Sequence, residues 1–482
     1  MQEATRLEGA GALPEAIAVY ERLLAQTPML PDCWYNLALL QRKAGRYAAA
    51  LGSYAQALAH GVDDPAEVYL NRAVIYADCL HDAAAAQREL EAALALSPRY
   101  LPALQNLANL HEDLGRRAEA RAVYERILSV SPGSAIGLAR YAQASEVSGP
   151  DDPLIARLRA ALGAPTARAA DRASLGFALA RVLDACGQYA EAFAAAQAAN
   201  TASRLSVTPT PRYDRAAHEG LIGALIQAFP LAPASAGLAG GALRPTPEPI
   251  FICGMFRSGS TLTERLLSAH PQLAAGGELD LLPRLVQARL MPFPAAMAQV
   301  PPAALARLAD EYLAGLRQVF PQAGWVTDKR PDNFLLIGLM RALFPGVRIV
   351  HTTRDALDTC LSIFFLHLDQ RLSYALDLMD IGHYFRQYRR LMRHWQALCG
   401  EQLLEFNYDS LVRDPRPAAE RLLGFCGLPW EESVLSFAGR PASVRTASVW
   451  QVREPLYRHA SGRARHYARE LAALAAYLAE PD

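Results

Sequence analysis

Gly254, Gly259 and Thr261, within FICGMFRSGSTLTERLLSAHP, have the spacing of a phosphate-cradling turn. A short apolar run, PIFICG, leads in as a strand, and a helix is expected to begin near Thr261. Backbone N–H groups at such a helix start point at an anion, and the helix dipole adds to the attraction. Ser260 stands where a triphosphate-binding loop carries its lysine, and the cation sits inside the loop instead, at Arg257, beside Ser258 and Gly259. A second anion grip follows about 100 residues later in VRIVHTTRDALDTCLSIFF. Arg354 ends that strand, and Ser362 lies eight residues on, about two helical turns, so both can close on one anion. A guanidinium fork and a hydroxyl suit a terminal phosphate. Lys329 ends another strand, WVTDK, and Glu278 in AAGGELDLLP is a carboxylate able to take a proton. The end of the Arg354 strand, HTTR, is basic where a magnesium-holding aspartate would be expected, which weakens a kinase or ATPase reading.

These residues need a frame. Strand patterns at PIFICG, 325–329, 347–354 and 403–409 alternate with helical stretches. That alternation implies an α/β domain over 248–482, with a mainly parallel sheet and ligands beyond the C-terminal strand ends. Residues 206–247, rich in Ala, Pro and Gly, are read as a linker. Residues 1–205 show a different texture. Asn36, Asn71 and Asn106 are 35 apart, and Ala16, Ala50, Ala86 and Ala120 step by 34, 36 and 34. Tyr20, Tyr54, Leu90 and Tyr124 follow one helical turn later. Small residues let paired helices approach, Gly45 and Gly115 end first helices, and Pro98 and Pro132 close second ones. An all-α solenoid is expected, with repeats at about 3–28, 31–64, 67–98 and 101–132, a weaker copy at about 172–205 and a degenerate pair between. Its concave face either presents to a partner or only supports the following domain.

Lys plus Arg equals Asp plus Glu, 48 each, so no bulk positive field recruits nucleic acid. Hydrophobic residues at 52% and charged residues at 20% exclude a disordered chain. No run reads as a membrane span and the N-terminus lacks a signal-like core, so a cytoplasmic setting is expected. Seven scattered Cys without a CxxC pair read as reduced thiols, with no metal site.

The repeats resemble tetratricopeptide repeats. The Arg257 loop resembles the 5′-phosphosulfate loop of sulfotransferases that use 3′-phosphoadenosine 5′-phosphosulfate (PAPS), and Arg354 with Ser362 resembles that family's 3′-phosphate site. The resemblance covers about residues 248–467 and is closest to tetratricopeptide-repeat sulfotransferases related to tyrosylprotein sulfotransferases. It implies a PAPS-binding set of Arg257, Ser258, Gly259, Ser260, Thr261, Arg354, Ser362, Tyr408 and Arg463, with PAP as product and no metal. Glu278 then matches the family's catalytic base, Lys329 and Arg257 its sulfuryl-binding cations, and Ser448 an assisting serine. A histidine base, common after the Lys329 position in small-molecule sulfotransferases, is missing from Lys329-Arg330-Pro331, and Ala464 replaces a usual aromatic. The implied acceptor is a hydroxyl on a protein tyrosine, a peptide or a glycan, recruited by the repeats. The alternatives are a kinase or ATPase with an unusual loop, and a repeat scaffold carrying an inactive nucleotide domain.

Overall fold

The computed structural model describes residues 2–80, 82–231, 246–439 and 461–480. The chain forms two compact units, Met1–Glu146 and Val147–Asp482.

The first unit is a run of helix pairs with the expected period. Pro31–Lys43 pairs with Tyr47–Ala59, Pro65–Val74 with Ala83–Leu96, and Leu101–Asp113 with Arg117–Val130. The recurring alanines explain the pairing. Ala16, Ala38, Ala50, Ala86 and Ala120 are fully buried, so the backbones close on one another over small side chains. Gly45 and Gly115 sit at φ +74 and +73, the left-handed helix exit that any other residue enters at a cost of about 1 kcal/mol.

The second unit begins earlier than the domain boundary drawn at 205. The hairpin Ala169–Ala185 and Tyr189–Leu205, read as a weak repeat, belongs to it. Side chains from the hairpin explain the attachment. Asn200 Nδ2 donates to the Phe364 carbonyl at 2.8 Å, and the Phe193 and Phe364 rings lie 5.2 Å apart. Part of the stretch read as a linker is also built into the unit. Arg215–Ala228 is a helix, and Arg215 pairs with Asp380 at 2.6 Å.

A five-stranded parallel sheet forms the centre, in the order β2-β3-β1-β4-β5. Its strands are β1 (Glu248–Gly254), β2 (Leu273–Ala275), β3 (Trp325–Lys329), β4 (Arg348–Thr353) and β5 (Leu403–Asn407). Four of these match the sequence reading. The three-residue edge strand β2 does not appear in it, because Leu-Ala-Ala is too short to show a period.

Side chains alternate across the sheet. Ile250 and Ile252 join Leu262, Leu266 and Leu422 on one face. On the other, Phe251 packs on Tyr312 and Phe344, with ring centroids 5.8 and 6.2 Å away. Trp395 of the long helix Leu378–Cys399 is fully buried and its indole N–H donates to the Phe334 carbonyl at 2.8 Å.

His351 sits within β4, buried at 6% exposure and hydrogen-bonded to the Tyr388 hydroxyl. Burial pushes its imidazole down to about 4. The unfolded chain therefore binds a proton that the folded chain refuses between about pH 6.5 and 4, and this group's stabilising share is lost as pH falls through that window. His351→Gln keeps a hydrogen-bonding partner for Tyr388 and cannot be protonated. Its stability relative to the parent should shift in its favour by about 2–3 kcal/mol between pH 7 and pH 4. Urea unfolding of both proteins at the two pH values measures this, and an unchanged difference rejects it.

Candidate functional site

The sheet order places β1 between β3 and β4, so the chain departs in opposite directions on either side of the β1–β4 boundary. That is the switch point at which open α/β sheets hold ligands. Gly254 and Thr352 are direct neighbours there. The turn after β1 and the end of β4 are thus brought together by strand register alone.

The turn is held from three sides. A Cβ on Gly254 would stand 2.4 Å from the Thr352 carbonyl oxygen, so only glycine fits. The Ser258 hydroxyl lies 2.7 Å from that of Thr352, and the Tyr388 hydroxyl meets the Met255 N–H. Gly259, at φ +103, lies against Tyr408, whose Cδ2 would be 2.8 Å from an added Cβ. The helix Ser260–Ser268 starts directly after it. Arg257 is the one described non-glycine residue with positive φ, at 69°. A left-handed backbone costs roughly 1–2 kcal/mol for an L-residue, so tertiary contacts must hold it.

Those contacts gather the cations. Arg257 Nε donates to Ser362 Oγ at 3.0 Å, and Arg354 Nη1 approaches the Arg257 carbonyl at 3.4 Å. The Arg354 guanidinium lies 5.2 Å from the Tyr408 ring centroid and 3.9 Å from Asp358. Burial, and then the neighbouring Arg354, bring Arg257 down to about 10. Arg257, Arg354, Ser362 and Tyr408, more than 150 residues apart in sequence at the extremes, therefore form one cluster.

Arg463 stands close enough to Arg257 to act on its charge, but its direct partner is Asp184 of the hairpin, at 3.2 Å. Its guanidinium lies over Phe365 at 4.6 Å. Asp358 holds the preceding turn, accepting from the Gly462 and Ala464 N–H groups, both at 2.6 Å. Asp184 does not stand out in the sequence, because its partner Arg463 lies more than 250 residues away.

Beside this cluster, β3 and the segment after β2 bring Lys329 and Glu278 together. Lys329 is 1% exposed, whereas the Glu278 side chain is 46% exposed, and Nζ lies 2.8 Å from Oε1. A buried ammonium thus meets solvent-facing space through a carboxylate. Asp328, next in β3, is turned the other way. It accepts from Tyr312 and Asn333, and burial raises it to about 7. Ser448 lies outside the described residues.

A cavity of about 630 Å³ adjoins the turn, lined among others by Ser258, Arg354, Thr359, Arg389, Arg393 and Glu405. The arginines of the long helix are divided. Arg389 and Arg393 line the cavity, while Arg386 pairs with Glu480 at 3.1 Å.

Residues 249–432 match the sulfotransferase family, and residues 33–67 and 101–144 match tetratricopeptide repeats. A tetratricopeptide-repeat-like helical region thus precedes a parallel-sheet α/β domain whose sequence is similar to the sulfotransferase family. An uncharacterised protein of Aquifex aeolicus is 30% identical over 389 residues, 78% of this chain and 50% of that protein. Protein-tyrosine sulfotransferase 1 of Danio rerio is 25% identical over 199 residues, 39% of this chain and 55% of that protein. Protein-tyrosine sulfotransferase of Drosophila melanogaster is 25% identical over 225 residues, 42% of each chain. The chain spans about half the length of these relatives. Among the described residues no helix is long and apolar enough to cross a membrane.

Proposed function

We propose that the protein moves a sulfuryl group from PAPS to a hydroxyl acceptor. The observation that carries this is the juxtaposition of two anion grips on neighbouring strand tips, with the Lys329–Glu278 pair beside them. The donor set suits a doubly phosphorylated adenosine. Arg257, Ser258, Gly259, Ser260 and Thr261 would face the 5′ end, with backbone N–H groups at a helix start. Arg354, Ser362 and Arg463 would hold the 3′-phosphate, and Tyr408 would border the nucleoside. PAPS supplies, when bound, a sulfuryl group on a phosphate leaving group.

The chain's own tasks follow from in-line displacement. The acceptor oxygen forms a bond to sulfur, the bond from sulfur to the leaving phosphate oxygen breaks, and the acceptor proton goes to Glu278. The exposure of Glu278 lets an acceptor hydroxyl reach it from solvent, and its contact with Lys329 holds the carboxylate beside the cation that would face the sulfuryl group. Lys329 and Arg257 stabilise charge growing on the sulfuryl and leaving oxygens. The acceptor is a hydroxyl of a protein tyrosine, a peptide or a glycan, with the repeats available to recruit it.

The test is a calorimetric titration with PAP in the presence of EDTA, followed by transfer of labelled sulfate from PAPS to a panel of hydroxyl acceptors. PAP should bind without metal and label should move to an acceptor. Tight binding of magnesium-ATP with none of PAP overturns the reading.

A further inference from the structure

Glu264 lies one turn inside the helix Ser260–Ser268, and its residue exposure is only 7%. An ionised carboxylate at that depth costs several kcal/mol unless hydrogen bonds answer it. Its bonds all lead to one place. Oε1 accepts from the Gly277 N–H at 2.9 Å and from the Thr327 hydroxyl at 2.7 Å. The same Thr327 oxygen accepts from the Gly276 N–H at 3.1 Å, and the Lys329 N–H donates to the Gly277 carbonyl at 2.9 Å. Three of these four hydrogen bonds end on the two glycines, and the fourth joins Thr327 to Glu264 behind them. Gly276 has no room for a side chain, since a Cβ would lie 2.0 Å from the Thr327 carbonyl oxygen, and Gly277 is left-handed at φ +67. The next residue is Glu278, whose carboxylate meets Lys329.

We propose that Glu264 and Thr327 are positioning residues that fix the Gly276–Gly277 turn and thereby aim Glu278 at the reacting centre. This rests on the reading of Glu278 as the base. The clamp ties the aim of that carboxylate to the helix that starts at the phosphate turn, so nucleotide grip and base share one rigid support. Glu264 also places a second carboxylate within electrostatic reach of Lys329 and Glu278.

Two substitutions remove the clamp with little change in volume, Thr327→Val and Glu264→Met. Thr327→Ser and Glu264→Gln retain the hydroxyl and an acceptor oxygen and serve as conservative partners. Amide hydrogen exchange of residues 274–279 in the full chain should accelerate about 10-fold or more in the first two. Transfer from PAPS to 4-nitrophenol should fall about 10- to 50-fold, with PAP affinity within about twofold of the parent. The conservative variants should recover most of the protection and of the rate. Unchanged exchange and rate in Thr327→Val and Glu264→Met overturn the proposal. So does a parallel loss of PAP affinity, which would assign the network to the nucleotide grip. If Glu278→Gln itself transfers at the parental rate, the base reading fails, and the exchange result still decides the clamp.

Discussion

Glu278→Gln should reduce sulfuryl transfer by at least about 100-fold while leaving PAP affinity within about threefold. The size follows from removing general base catalysis, which contributes roughly 10²–10⁴-fold. The separation of the two readouts follows from geometry. Glu278 contacts Lys329, on the β3 side of the site, while the cations gathered at Arg257 stand over β1 and β4. An amide can still accept from the Lys329 ammonium through its oxygen, so the buried lysine keeps a partner and the fold is spared. The amide cannot take a proton from an acceptor hydroxyl. Single-turnover transfer and PAP calorimetry on the same preparation check the result. Transfer at more than a tenth of the parental rate would assign the proton to another group.

Arg354→Ala should weaken PAP binding by about 30- to 1,000-fold, the range for removing a charge-assisted, largely desolvated contact of about 2–4 kcal/mol. The Arg354 side chain is 5% exposed, flanked by Tyr408 and by the Arg257 carbonyl, so water cannot take its place cheaply. Arg354→Lys should recover only part of the loss, because a single ammonium lacks the planar fork. Ser362→Ala should cost less, about 5- to 10-fold, since a hydroxyl contributes a neutral bond and Arg257 loses one partner of several. Calorimetry at two salt concentrations measures the series. Equal affinities of the parent and Arg354→Ala would place the 3′-phosphate elsewhere.

The two segments proposed as anion grips could be picked out in the sequence because each is local. Glycine spacing, a cation within the turn, and an arginine and serine two turns apart are features of one short segment each. The helical repeats were legible for the same reason, since a period of about 35 residues survives in the alanines and glycines. Other parts were invisible for equally physical reasons. The strand Leu273–Ala275 has no period to detect, yet it delivers the chain to Gly276 and Glu278. Glu264 reads as one more polar residue on a helix until its partners at 277 and 327 are known. The hairpin 169–205 carries the repeat's glycine and alanines, and only its contacts to Phe364 and Arg463 show which unit it serves.

Chain order and residue type alone determined the kinds of groups available: a basic glycine turn, an arginine and serine two helical turns apart, a lysine and a glutamate, and a repeat region before them. Tertiary structure decided which of them meet. Parallel pairing of β1 with both β3 and β4 sets Gly254 against Thr352 and Ile252 against Lys329, and from those two registers the Arg257–Ser362 and Lys329–Glu278 contacts follow. Register is a long-range property, fixed by burying both faces of the sheet at once, and no single segment of sequence contains it.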